Sequence, residues 1–169
     1  NRFLALDFVK KIYLPVSDTD EMFARLPLAS IDKVVRVAGG KERADSVLNG
    51  LKQATSDGCD WVMVHDAARP CVSEEDIRSL YQVCLDKNHP GILAAPVRDT
   101  MKRSNADNEI TATVDRNGLW HALTPQCSKA SDLQVALEQQ LQADGRVSKV
   151  ITDEASALEL AGYPVNLVQ

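Results

Sequence analysis

Apolar positions along this chain fall into two alternating rhythms. Short runs from Lys11 to Val16, Lys33 to Ala38, Trp61 to Val64 and Gly91 to Val97 are bounded by polar residues or turn formers, and each predicts a buried strand. Between them the spacing becomes helical. Val47, Leu48, Leu51 and Ala54 form one stripe in a helix from about Glu42 to Thr55. Ile77, Leu80, Tyr81, Cys84 and Leu85 form another, in a helix that Ser73 caps and Asn88 and Pro90 stop. Glu74, Glu75 and Asp76 favour its positive N-terminal end. Further on, helices are expected from roughly Ser131 to Ala143, and from Thr152 to a stop at Gly162. Alternating strands and helices imply an α/β fold with a parallel, wound sheet covered on both faces.

One stretch breaks the alternation. Arg98 to Arg103 and Glu109 to Val114 flank the polar cluster Ser104-Asn105-Ala106-Asp107-Asn108, which predicts a β-hairpin with a loose turn. A lone hairpin is marginal in water, so it should pack on the parent sheet or on a partner subunit. At the start, Asn1 to Leu6 reads as the last turns of an amphipathic helix whose beginning belongs upstream; Val165 to Gln169 reads as a closing strand.

A chain of 169 residues, 44% hydrophobic and 25% charged, is sized for one domain with a full core. A net charge of −5 disfavours a general nucleic-acid binder, and no apolar run is long enough to span a bilayer, so neither nucleic acid nor membrane is expected as a partner. Cys59, Cys71, Cys84 and Cys127 show no C-x-x-C pair, as expected of reduced cysteines in a cytoplasmic protein. His65, His89 and His121 show no metal-ligand spacing.

Candidate chemistry gathers at strand ends. The strand at Trp61 stops on Asp66, passes the small Ala67 and Ala68, and meets Arg69. Ligands of open α/β sheets bind beyond such carboxyl ends. Asp66 suits a hard cation such as Mg²⁺, and the forked charge of Arg69 suits phosphate. On this run alone, the simpler reading is a capped turn held by its own ion pair. Gly39-Gly40-Lys41-Glu42-Arg43-Ala44-Asp45-Ser46 links a strand to a helix; its glycines admit a ligand to the backbone, and the helix start offers free N–H groups. Taken alone, Gly-Gly is a turn. Thr100 and Arg116, on and beside the hairpin, could reach a phosphate, or simply keep an edge soluble. Thr124 could bind a ligand or end a strand, and Thr152 reads most simply as a helix cap.

In order, G-G-K-E-R-A-D-S-V, V-H-D-A-A-R-P, A-A-P-V-R-D-T-M-K-R, V-D-R-N-G-L-W-H-A-L-T-P-Q and I-T-D-E-A-S-A-L-E resemble the 2-C-methyl-D-erythritol 4-phosphate cytidylyltransferase family, from about Lys33 to the last residue. The resemblance implies a Rossmann-like three-layer fold with a mostly parallel sheet, one nucleotidyltransferase domain over residues 1–169, and a projecting β-arm at about 98–122 that helps form a homodimer. It implies transfer of a cytidylyl group from CTP to a sugar-alcohol phosphate in isoprenoid precursor synthesis, with pyrophosphate released and Mg²⁺ as cofactor. Gly40, Lys41, Ser46 and Ala67 would then contact the nucleotide, and Asp66 the Mg²⁺ and phosphates. Arg69, Thr124 and Thr152 would face the acceptor. Thr100 and Arg116 would complete the partner subunit's site, with Arg116 holding the attacking phosphate. The family's Gly-rich loop A-A-G-x-G-x-R with its following lysine, and a second lysine expected beyond Gln169, lie outside this sequence. The segment alone is therefore expected to be inactive. Ribitol 5-phosphate as acceptor, and a non-catalytic nucleotide-binding or dimerisation module, are the competing readings.

Overall fold

The computed structural model describes residues 2–142 and 144–169. Strand β1 (Ile12–Val16) pairs in parallel with β2 (Val34–Ala38), with Ile12 opposite Val34. Helix α1 (Arg43–Ser56) follows, then β3 (Trp61–Val64), α2 (Glu74–Lys87) and β4 (Gly91–Pro96). The hairpin consists of β5 (Met101–Ser104) and β6 (Ile110–Val114). Then come β7 (Trp120–Lys129), α3 (Ala130–Glu138), α4 (Glu154–Leu160) and β8 (Asn166–Val168).

Helix boundaries follow local chemistry. Ser73 accepts from the Asp76 N–H at 3.0 Å, and Asn88 ends α2 with φ +50°, in the left-handed region asparagine tolerates. The helix expected to begin at Thr152 is instead capped by Asp153, whose Oδ1 accepts from Ser156 N at 2.9 Å. Thr152 therefore lies outside the helix. Helix α3 ends at Glu138, short of the expected boundary; that boundary, Ala143, lies outside the described residues. Near the start, Phe3–Ala5 forms a 3-10 turn rather than the end of an α-helix, and Asn1 lies outside the described residues.

Topology departs further from the expectation. The four-stranded sheet has the order β3-β7-β4-β8. Three of these strands run the same way, but the reversed β7 lies between β3 and β4. Two of its three ladders are consequently antiparallel, and only β4–β8 is parallel. Among the described residues, β1–β2 and β5–β6 form separate two-stranded sheets. A cleft of about 2030 Å³ opens between β1 and β3, lined in part by Ile12, Leu14, Val62, Val64 and Asp66.

Helices cover both faces of the main sheet. Val62 and Val64 turn toward a core built from α1, α3 and α4 with Leu48, Leu51, Leu133, Leu137 and Leu158. Trp61 and Met63, at alternate positions, turn toward α2 with Leu80 and Cys84. Both faces of β3 are thus occupied, which explains its unbroken apolar run. Leu133 and Leu137 are fully buried, each contributing about 1.5–3 kcal/mol by removal from water.

Candidate active site

The antiparallel register of β3 and β7 creates the centre of the site. Val64 lies opposite Gln126, so continuing the register two residues sets Asp66 opposite Thr124. The Asp66 N–H donates to Thr124 Oγ1 at 3.3 Å. Thr124 Oγ1 is also 3.0 Å from His65 Nδ1, and His65 Nε2 is 2.9 Å from the Arg69 carbonyl. One hydroxyl thereby fixes the turn that carries both Asp66 and Arg69.

Two residues further along β7, Gln126 organises the start of α4. Its Nε2 donates to Asp153 Oδ2 at 2.9 Å, while its Oε1 accepts from Ala155 N at 2.8 Å. Both groups of the buried amide are satisfied at a helix terminus. This clamp brings Thr152, Asp153 and Glu154 to the end of the sheet.

Asp66, Arg69, Thr124 and Thr152 consequently line one cavity of about 350 Å³, together with Arg43, Ala122, Gln126 and Asp153. Four residues chosen on sequence grounds converge there. Ser46 and Ala67 line the larger neighbouring cleft, which Arg43, Asp66 and Arg69 also border. Gly40 and Lys41 lie on the adjoining loop and line neither cavity. Thr100 and Arg116 are exposed near the hairpin and away from the cavity; the Arg116 guanidinium donates to the Arg98 carbonyl.

The glycine loop is closed more tightly than its composition indicates. Gly40 N donates to Ser46 Oγ at 2.9 Å, and Glu42 N donates to Asp45 Oδ2 at 3.1 Å. Two N–H groups expected to face a ligand are therefore satisfied within the loop. A Cβ on Gly40 would sit 2.3 Å from Asp45 Cβ and 2.7 Å from the Asp45 carbonyl carbon. Glycine is required there because the loop folds against its own helix.

The strongest electrostatic feature, Arg43, had no distinguishing mark beyond its place in the glycine segment. Its Nη1 and Nη2 grip Glu154 at 2.7 and 3.0 Å, and its Nε and Nη2 reach Asp66 Oδ1 at 3.2 and 3.1 Å. Glu154, with 3% of its side chain exposed, is a buried carboxylate answered by this guanidinium. Hydrogen bonds donated to Glu154, outweighing the opposing cost of burial, push the Arg43 pKa above the ordinary arginine value. Removing one partner of a fully buried pair costs about 3–5 kcal/mol. The cost here is smaller, since 42% of the Arg43 side chain meets solvent. Arg69 Nε lies 3.4 Å from Asp66 Oδ2, so the acid sits between two guanidinium groups.

Among the described residues, no three His, Cys, Asp or Glu side chains converge as a metal cage. A Mg²⁺ ion, however, commonly takes one or two carboxylates and completes its shell with substrate phosphates and water. Asp66, whose two oxygens keep lone pairs beyond those facing Arg43 and Arg69, fits that mode. It does not fit a structural metal. No helix among the described residues is long and apolar enough to cross a membrane.

The model of the 2-C-methyl-D-erythritol 4-phosphate cytidylyltransferase family matches residues 1–169. The chain belongs to that family. The match extends upstream of Lys33, where the motif resemblance began. A 2-C-methyl-D-erythritol 4-phosphate cytidylyltransferase of Vibrio parahaemolyticus is 51% identical over 169 residues, covering 99% of this chain and 70% of the relative. One from Escherichia coli O1:K1 is 49% identical over 167 residues, covering 98% of this chain and 68% of the relative. Among solved structures, a 4-diphosphocytidyl-2C-methyl-D-erythritol synthase superposes with TM-score 0.84 at 37% identity, covering 99% of this chain and 76% of that one. The cytidylyltransferase of Francisella tularensis gives 0.83 at 34% identity, covering 99% and 74%. The family and the Rossmann-like α/β fold were legible in the motifs; the bridging role of Arg43 was not.

Proposed function

We propose that this chain is the cytidylyltransferase that joins CTP to 2-C-methyl-D-erythritol 4-phosphate, giving CDP-methylerythritol and pyrophosphate in isoprenoid precursor synthesis. The observation that carries this reading is the meeting of Asp66, Arg69, Thr124 and Thr152 in one cavity, in a member of that family. A phosphate oxygen of the acceptor attacks the α-phosphorus of CTP, and the bond to the β-phosphate oxygen breaks. Pyrophosphate leaves with the bonding pair. Two anions must meet, so the protein's contribution is positioning and charge neutralisation rather than covalent catalysis.

Each residue group has a part. Gly40 and Lys41 on the loop and Ser46 in the first turn of α1 lie on the cytidine side, and Ala67 leaves room for the nucleotide in the cleft. Arg69, Thr124 and Thr152 orient the acceptor. Asp66 would hold a hard divalent cation, which when bound screens the phosphates. Thr100 and Arg116 act from the hairpin on a second subunit's site, with Arg116 on the acceptor phosphate. Exposed Met101, Ile110, Leu119 and Trp120 on and beside the hairpin support a homodimer through this arm. The four free cysteines agree with a reducing, cytoplasmic setting.

Pyrophosphate release by the full-length protein tests this reading. Incubation with Mg²⁺, CTP and 2-C-methyl-D-erythritol 4-phosphate should release pyrophosphate much faster than incubation with ribitol 5-phosphate. A preference for ribitol 5-phosphate, or no release with either acceptor, would overturn it.

A further inference from the structure

We propose that Arg43 is a positioning residue that holds the Asp66 carboxylate in its working orientation, with Glu154 as the buried anchor. What Asp66 then does rests on the function proposed above; how it is held does not.

The geometry is that of a strut. A guanidinium is planar and presents donors along more than one edge. Arg43 uses Nη1 and Nη2 on the two oxygens of Glu154, and Nε with Nη2 on Oδ1 of Asp66. A lysine ammonium, a point charge on a flexible stem, cannot bridge two carboxylates in this way. The anchor is itself fixed. Glu154 occupies the first turn of α4, whose start is held by the Asp153–Ser156 cap and by the Gln126 amide. Arg43 is the first residue of α1, directly after the glycine loop. The strut therefore ties three elements: the loop proposed to meet the base, the acid at the end of β3, and the α4 terminus beside Thr152.

Asp66 needs such support. Its backbone N–H is fixed by Thr124, but its side chain follows β3 in a turn and is 33% exposed. Its other oxygen faces Arg69 at 3.4 Å, a longer contact from the same turn. Without Arg43, the carboxylate is free to swing toward Arg69. Catalytic groups supported by a rigid neighbouring shell keep the geometry on which rate depends.

The test pairs Arg43→Met with Glu154→Leu, so that no buried carboxylate is left unanswered and the variant folds. In full-length protein this pair should lower kcat by about tenfold or more, with little change in the KM for CTP. Arg43→Lys should fail to restore kcat. On an Asp66→Asn background, the same changes should add no further loss, because the residue they position no longer acts. A crystal structure of the paired variant should show the Asp66 carboxylate turned toward Arg69. Full rescue by lysine, additive losses on Asp66→Asn, a rise in the CTP KM with kcat preserved, or an unmoved Asp66 carboxylate would each overturn the proposal. The crystal readout needs no turnover, so wild-type inactivity toward CTP would sink the proposed function while leaving this inference decidable.

Discussion

Thr124 Oγ1 lies 3.0 Å from His65 Nδ1, and this contact sets the proton arrangement beneath the candidate active site. The Arg69 carbonyl can only accept, so in the neutral imidazole His65 Nε2 carries the hydrogen and Nδ1 accepts from the threonine hydroxyl. The lone pairs of that hydroxyl are then available to the Asp66 N–H. Thr124→Val removes both bonds and leaves the Asp66 N–H unanswered, a loss of about 1–3 kcal/mol where such a group is shielded from water. Urea denaturation should show that loss, and Thr124→Ser should recover most of it. An unchanged midpoint in the valine variant would show that water replaces the hydroxyl.

Gly40→Ala should disturb the nucleotide side selectively. The new methyl group meets the Asp45 carbonyl carbon at 2.7 Å and Ser46 N at 2.8 Å, so the backbone must move. Overpacking of this kind costs about 1–3 kcal/mol. The KM for CTP should rise by about tenfold, equivalent to about 1.4 kcal/mol, with the acceptor KM little changed. Equal shifts in both would place the loop elsewhere than on the base.

Asp66→Ala should nearly abolish turnover. Besides removing the one acid at the end of β3, it leaves Arg43 and Arg69 without their shared partner. Near-wild-type pyrophosphate release by this variant, in the full-length protein, would remove Asp66 from the mechanism.

Arg116→Ala should raise the KM for the acceptor more than that for CTP. The side chain is exposed beside the hairpin, outside the cavity of its own subunit. Mixing it with an Asp66→Ala variant should restore part of the activity, because in the proposed homodimer a mixed pair would contain one site with both residues intact. No recovery on mixing would argue that Arg116 acts elsewhere.

Acid stability should depend on Asp57, at the C-terminal end of α1. Lys11 first, then Tyr13 and Gln53, hold its carboxyl below the ordinary 3.8. A depressed folded-state value gives stability that is fully present above the unfolded value and lost as pH falls through the folded one. The loss therefore begins near pH 3.8 and deepens below it. Asp57→Asn should flatten that part of the stability profile, followed by thermal melting at stepped pH. An unchanged slope would show that solvent screens the cluster.

Much of this fold was legible in the chain because helix and strand periods are local. The Val47-to-Ala54 stripe places α1, and four unbroken apolar residues mark β3 as covered on both faces. Ser73 and Asn88 bound α2 through bonds that span only a few residues. The cap expected at Thr152 falls one position later because Asp153 and Ser156 make a reciprocal cap that outcompetes a threonine. The five ordered motifs carried the family, since together they preserve both residue types and their order.

The sequence by itself determined most elements and their approximate bounds, β7 excepted, together with the family and the strand-end placement of Asp66. Tertiary structure decided that β7 would run antiparallel between β3 and β4, because strand partners are selected by packing across residues distant in the chain. The same register set Thr124 opposite Asp66. Only the folded chain could bring Arg43 onto Glu154, 111 positions away. An arginine's local context does not reveal which buried carboxylate will answer it; that is fixed when α1 and α4 dock on the same face of the sheet.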